Sequence, residues 1–363
     1  MAMAKEDILK MQIKRTEKEL RDLPHHKGTD HHIGRLRAKL AILQEKLDQP
    51  SGKGGGGGGY QVRKQGDATI VLIGPPSSGK STLINKLTDV ESKVAAYSFT
   101  TLSVIPGMME YKNARFQILD VPGLIEGAGE GKGRGKEVLS VARNSDLIVF
   151  MTDPMRLSFF KKLVDELESG GIRINKEKPQ VKIEKKLNGG LVIHSNIKQL
   201  LTKESIKEIA GEFGIKNGEI TLNEKLTLDQ LIDAFAKNRV YIPAIYVVNK
   251  VDSMDTRTKN TIDKRIVLIS AEKGTGLDEL KEKIWEKLNF VTLFLIKLDE
   301  EPHFNNPVIV KAGVTLESVN KSLGREFSEN KKSAKIWGSG AKFAGQEVSL
   351  KTKVHDGMQI RFV

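Results

Sequence analysis

Along the first fifty residues the apolar positions recur at helical spacing. Residues 5–22 and 33–47 are expected as two helices. In the second, Ile33, Leu36, Leu40, Leu43 and Leu47 fall at alternating steps of three and four, a coiled-coil-like stripe. Pro24 and Gly28 interrupt the pattern, so an antiparallel helical hairpin is expected. From residue 68 the period changes. Short apolar runs, ATIVLIG (68–74), DLIVFMTD (146–153), IPAIYVVNK (242–250) and RIVLISA (265–271), alternate with the helical segments STLINKLT (81–88) and LDELKEKIWEKL (277–288). That alternation predicts an α/β body with a mostly parallel sheet covered on both faces. A hairpin, MMEY then RFQILD (115–120), is added to it. Residues 161–242 interrupt the order and read as an inserted α+β unit. The last stretch returns to short strands such as TLFLIKL and QIRFV, and reads as a separate small α+β domain. The expected division is a hairpin over 1–50, a glycine-rich segment over 51–60, the α/β body over 61–160 and 243–289, the insertion over 161–242 and a C-terminal domain over 290–363.

Composition narrows the classes. The chain has 363 residues and no cysteine, which excludes disulfides and cysteine-based metal sites. No apolar run approaches the roughly 18 residues of a membrane span, and the charged start MAMAKEDILKMQIKRTEKEL is unlike a secretory signal. A cytoplasmic protein with no membrane partner is expected. The net charge of +13 is uneven. Residues 1–64 carry 14 Lys and Arg against 8 Asp and Glu, residues 65–160 balance at 10 and 10, and residues 290–363 carry 11 against 8. The appended segments therefore suit an anionic partner, RNA first among them; the plainer alternative is solubility. SGKGGGGGGY (51–60) is either a flexible linker or a glycine-rich turn packed on the next domain. His25, His26, His31 and His32 cluster near the hairpin turn, and with no supporting carboxylate pattern they read as a polar turn rather than a metal site.

The chemistry begins at GPPSSGKS, residues 74–81. It fits G-x-x-x-x-G-K-[ST] after a strand and before a helix, the context of a phosphate-binding loop. Gly74, Pro75, Pro76, Ser77, Ser78 and Gly79 form the turn whose N–H groups would face phosphate oxygens. Lys80 supplies a charge to the β- and γ-phosphates, Ser81 a hydroxyl to Mg²⁺, and Thr82 continues the helix whose positive end faces the same anion. This loop does not separate ATP from GTP; NKVD (249–252) does. At the end of an apolar strand, Asp252 can accept both the N1–H and the exocyclic amine of guanine, whereas adenine would leave it facing an acceptor. Asn249 can tie the base to the phosphate loop, and the Lys250 stem can cover the base. Ser270, Ala271 and Glu272 follow the next strand, where their backbone would meet the guanine O6. DVPG (120–123) ends another strand: Asp120 reaches Mg²⁺ through water, and the Gly123 amide senses the γ-phosphate. Between them lie Phe99, Thr100 and Thr101, and Thr101 is preferred as the second Mg²⁺ ligand, present only with GTP. The expected catalytic set is Lys80, Thr101, Asp120 and Gly123. Leu124 stands where many small GTPases carry a water-orienting glutamine, so unassisted hydrolysis is expected to be slow. IEGAGEGKGRGKE (125–137) has glycine at every second position and reads as a switch loop.

Together FTTL, DVPGLIEGAGEGKGRG and NKVD resemble the Obg-like GTPases, most closely the developmentally regulated GTP-binding (DRG) family. The stretch GGIRINKEKP…GGLVIHSN…NRVYIPAIYVVNKVDS looks like that family's insertion, a unit related to a ribosomal-protein S5 domain. PVIVKAGVTLESV, AKIWGSGAKFAGQEVSL and VHDGMQIRFV are similar to a TGS domain, a ubiquitin-like β-grasp. The resemblance covers nearly the whole chain. It implies a cytoplasmic, translation-associated GTPase, with GTP and GDP as substrate and product, magnesium as cofactor, the ribosome or RNA as partner, room for a protein partner, and a monomer when free. Potassium is a further candidate cofactor, although potassium-activated relatives often carry Asn where this chain has Ser77. Two rivals stand beside this reading: a constitutive RNA- or ribosome-binding module with a structural nucleotide site, and a metabolic phosphotransferase. The second lacks an acceptor-pocket or lid motif.

Overall fold

The computed structural model describes residues 2–24, 30–48, 64–88, 105–121, 134–324 and 331–363. The chain divides into two compact units, Met1–Gln61 with Val164–Ile242, and Val62–Leu163 with Pro243–Val363.

The second unit is built on a six-stranded sheet in the order β11-β10-β4-β1-β3-β2. Its strands are β1 (Ala68–Ile73), β2 (Ile105–Tyr111), β3 (Ala114–Asp120), β4 (Leu147–Thr152), β10 (Ala244–Val248) and β11 (Ile266–Leu268). All neighbours are parallel except β2 and β3. Every residue of β1 and β4 is buried, as expected of central strands with both faces covered. Ile70, Leu72, Phe116, Leu147 and Val247 share a core with Leu83 of α3 (Lys80–Leu87) and with Leu280 and Ile284 of α9 (Leu277–Leu288). The β2–β3 turn is two residues, Lys112 and Asn113, both with positive φ (49° and 65°), the backbone that matches the twist of a hairpin. Its tip is tied to α9: the Tyr111 hydroxyl donates to Glu282 at 2.6 Å and Lys112 Nζ to the same carboxylate at 2.8 Å.

Two apolar runs are shorter than their hydrophobicity suggests. IPAIYVVNK is divided by Pro243, which has no N–H for a ladder, and β10 starts only at Ala244. RIVLISA leaves the sheet after Leu268. There Ser270 N–H turns to Thr275 O (3.0 Å) and Ala271 N–H to the Asn249 side chain (2.8 Å).

The helix α9 passes directly into a second sheet of the same unit, through Asn289 in the left-handed conformation (φ 54°). This sheet holds β12 (Phe290–Leu295), β13 (Pro307–Lys311), β14 (Ser333–Trp337), β15 (Gln346–Ser349) and β16 (Gln359–Phe362) in the order β13-β12-β16-β14-β15. Its first and last strands are parallel neighbours at the centre, the connectivity of a β-grasp. Leu293, Ile336 and Ile360 pack against Leu316 and Val319 of α10 (Leu316–Ser322). Phe290 belongs to the first core instead, stacked on Phe116 (centroids 6.1 Å apart) and edge-on to Trp285 (5.8 Å).

In the other unit α1 (Ala2–Asp22) and α2 (Asp30–Asp48) pack together. Beside them stands a three-stranded sheet, β6 (Val181–Lys185), β8 (Gly218–Leu222) and β7 (Leu191–Ser195), with α6 (Lys203–Glu212) and α7 (Leu228–Phe235) on its apolar face. Ala38 and Ala41 of α2 join Ile206, Ile209 and Ile232 in one core. A separate two-stranded pair, β5 (Ile172–Ile174) with β9 (Val240–Ile242), is held by a buried ion cluster. There Asp233 accepts from Arg173 (2.6 Å) and Arg239 (2.8 Å). His31 lies 3.5 Å from Glu208, and His32 3.3 Å from Glu19. His25, His26 and the glycine run fall outside the described residues.

Candidate nucleotide site

The carboxyl ends of β1, β3, β4, β10 and β11 lie side by side, and each carries into the site one of the segments singled out above or its neighbour. β1 runs into the turn 74–79 and then α3. Two glycines are required there for space. A Cβ on Gly74 would stand 2.0 Å from Met151 O, and one on Gly79, whose φ is +93°, would stand 2.3 Å from Asn249 Nδ2. Lys80 folds its ammonium back over the turn, donating to Gly74 O (3.2 Å) and Pro75 O (3.4 Å). Burial pushes that ammonium's pKa down, against the raising effect of Asp120 Oδ1 at 3.9 Å and with a further lowering from Arg156. Ser81 Oγ donates to Asp120 Oδ2 at 3.0 Å. Thr82 is exposed on the first turn of α3, as are Pro76 and Ser77 on the loop.

Among the described residues Asp120 Oδ1 is buried and has no hydrogen-bond partner, beside a serine hydroxyl on the same carboxylate. An orphaned carboxylate oxygen with a neighbouring hydroxyl is the oxygen donor set a hard cation such as Mg²⁺ takes, so Ser81 and Asp120 fit the metal. Phe99, Thr100, Thr101, Gly123 and Leu124 fall outside the described residues.

At the other end of the site Asn249, 3% exposed, acts as a two-way bridge. Its Nδ2 donates to Ser78 O (2.9 Å), and its Oδ1 accepts from Ala271 N–H (2.8 Å). Three segments far apart in sequence are thereby fixed by one amide. Lys250, in the left-handed conformation (φ 63°), sends its ammonium to Ser77 O at 2.8 Å. The Asp252 carboxylate accepts from the Ser270 hydroxyl, which holds its pKa below the ordinary value, with backbone and Lys273 contributions adding to this. Lys273 lies 3.7 Å away. Glu272 follows on the exposed rim.

One residue of this constellation was not singled out from sequence. After β4 a short 3₁₀ turn, Pro154–Arg156, is capped by Asp153, whose carboxylate accepts from Met155 N–H at 3.1 Å. Arg156 Nε donates to the same carboxylate at 2.8 Å, and its Nη2 reaches both that carboxylate and, at 3.2 Å, Pro76 O of the phosphate loop. The signal was present: an Asp-Pro pair directly after the central strand DLIVFMT announces a capped turn on the ligand rim.

Comparison with known proteins agrees with this geometry. Residues 69–186 match a family model described as a 50S ribosome-binding GTPase, and residues 188–290 match the C-terminal region of the MMR_HSR1 domain. An uncharacterized GTP-binding protein of Methanocaldococcus jannaschii is 44% identical over 95% of this chain and 90% of its own length. Developmentally-regulated G-protein 3 of Arabidopsis thaliana is 40% identical, covering 97% of each chain. Developmentally-regulated GTP-binding protein 2 of Homo sapiens is 38% identical over 93% of this chain and 94% of its own.

Proposed function

The chain belongs to the developmentally regulated GTP-binding protein family of P-loop GTPases, and on that premise we propose that its GTP hydrolysis drives a cytoplasmic switch acting on the ribosome or its RNA. The observation that carries the nucleotide reading is the Asn249 bridge. It couples the phosphate loop to the guanine side through Ser78 O and Ala271 N–H, and the neighbouring Ser270 hydroxyl holds the Asp252 carboxyl below its ordinary pKa. In this reading Asp252 selects guanine, because a carboxylate left facing an acceptor is an unpaired charge. Lys80 and the N–H groups of the turn bind the β- and γ-phosphates. Ser81, Thr101 and Asp120 are the residues that would hold Mg²⁺, which when bound would neutralise charge on the phosphates. Gly123 senses the γ-phosphate. Leu124 gives the attacking water nothing to bond, so turnover waits for a partner.

The ribosomal part rests on two supports. The matching family model is described as ribosome-binding, and nine of the net thirteen positive charges lie in residues 1–64 and 290–363, outside the balanced motif region. RNA attraction of that kind weakens steeply with salt. Removing residues 290–363 is a poor test, because Phe290 fills the core against Phe116 and Trp285. Charge reversal on the exposed Lys335, Lys351 and Lys353 leaves that core intact. The deciding measurement is GTP turnover by the pure chain, in sodium and in potassium, with and without ribosomes, together with co-sedimentation. We expect unassisted turnover far below the median enzyme rate of about 10 s⁻¹, stimulation by ribosomes, and loss of sedimentation in the charge-reversed chain. Turnover on the order of 10 s⁻¹ by the chain alone, or sedimentation indifferent to salt and charge reversal, refutes the proposal. Sedimentation that ignores which nucleotide is bound favours the constitutive binding module.

A further inference from the structure

Three successive carbonyls of the phosphate loop are gripped from outside. Arg156 Nη2 donates to Pro76 O (3.2 Å), Lys250 Nζ to Ser77 O (2.8 Å) and Asn249 Nδ2 to Ser78 O (2.9 Å). In a planar trans peptide the N–H points opposite to the C=O. Each grip therefore aims the following N–H, those of Ser77, Ser78 and Gly79 in turn, toward the inside of the loop. The Ser78 N–H bears this out by reaching Pro75 O, within the same turn, at 3.3 Å. Pro75 and Pro76 have no N–H, so Ser77 carries the first inward donor after Gly74. Its direction depends on the Pro76 peptide, and the side chain that holds that peptide is Arg156.

We propose that Arg156 is a positioning residue for phosphate binding, acting through the Pro76–Ser77 peptide. The guanidinium is well placed for the task. Its planar fork spans two acceptors at once, the Asp153 carboxylate and Pro76 O. Asp153 is 9% exposed and is anchored by capping the 3₁₀ turn. The buried Thr152 hydroxyl donates to Arg156 O at 3.2 Å and fixes the backbone. Arg156 also stands close enough to lower the pKa of Lys80, so it adds fixed positive charge where the anion binds. Asn249 and Lys250 secure the guanine side of the same loop; Arg156 secures the other, from a different strand.

The inference rests on residues 74–81 being the phosphate cradle, and the test separates the two. The affinity of a fluorescent GDP analogue is measured for the full chain and for Arg156→Ala, Arg156→Lys, Asp153→Asn and Lys80→Ala, with the melting temperature of each nucleotide-free protein. Arg156→Ala is expected to weaken GDP about tenfold or more, with GDP-over-XDP selectivity unchanged because the guanine end is untouched. Asp153→Asn keeps the cap acceptor but loosens the fork, so it should show a large part of the same loss while the cation remains. Arg156→Lys, a point charge unable to span both acceptors, should recover only part. Parental GDP affinity in Arg156→Ala overturns the inference. So does a loss in Arg156→Ala with none in Asp153→Asn, which would make the charge and not the positioning responsible. A selectivity change, or losses that merely follow melting temperature across the variants, overturns it equally. Parental affinity in Lys80→Ala would overturn the phosphate-cradle reading itself.

Discussion

Replacing Asn249 with Ala removes one amide and strands two buried backbone groups. Ser78 O loses its donor and Ala271 N–H its acceptor, and both residues are at most 1% exposed. A buried polar group left unsatisfied costs about 1–3 kcal/mol. Two such groups give roughly 2–6 kcal/mol, and water entering the vacated space favours the lower half, about 3 kcal/mol. A domain of about 150–250 residues loses roughly 2–4 °C of melting temperature per kcal/mol, so the nucleotide-free variant should melt about 6–12 °C early. Both tryptophans, Trp285 and Trp337, lie in the unit that carries the site, so intrinsic fluorescence follows the right transition. GDP affinity should fall in the same protein, since the bridge sets loop and rim together. Asn249→Asp keeps the acceptor for Ala271 but opposes an oxygen to Ser78 O, and should be no better than Ala. Melting within about 2 °C of the parent, with GDP bound equally well, would show that the bridge holds nothing.

Two other expectations concern single side chains. Asp252→Asn should weaken GTP by roughly a hundredfold or more and admit xanthine nucleotides, whose ring presents the complementary groups; equal GTP binding by mutant and parent disposes of the guanine assignment. The Tyr111 phenol is pushed up to about 12, first by its hydrogen bond to Glu282 and then by burial. Because the folded value is raised, the stabilisation is fully present below the unfolded pKa of about 10 and is lost as pH rises through about 12. The stability gap between parent and Tyr111→Phe should narrow over that window, and a difference titration at 295 nm that places Tyr111 near 10 contradicts it.

What was legible in the sequence was local. Gly74, Gly79, Lys80 and Ser81 are fixed by spacing, because a strand–turn–helix phosphate loop is built from neighbours. Asn249 was legible as part of a motif, but its two bonds join it to Ser78 and Ala271, 171 and 22 residues away, and no periodicity encodes such distances. Arg156 was missed for that reason: its partner Pro76 is 80 residues upstream. The stripe on α2 was visible in Ile33, Leu36 and Leu43, whereas Ala38 and Ala41, equally buried against the insertion, carry too little apolar surface to stand out. The early end of β11 comes from backbone groups that bond Thr275 and Asn249 in place of a strand.

Between Leu288, which closes the last helix of the nucleotide body, and Phe290, which opens the C-terminal sheet, stands the single residue Asn289. One residue spans at most about 3.6 Å, and Phe290 at its far side is wedged against Phe116, on the strand that ends at Asp120. An appendage joined with so little tether cannot search the space around it as a flexibly linked module does. It is built like the jaw of a caliper: a surface bound to the C-terminal sheet would stand at a set distance from the nucleotide body, with no slack to absorb a mismatch.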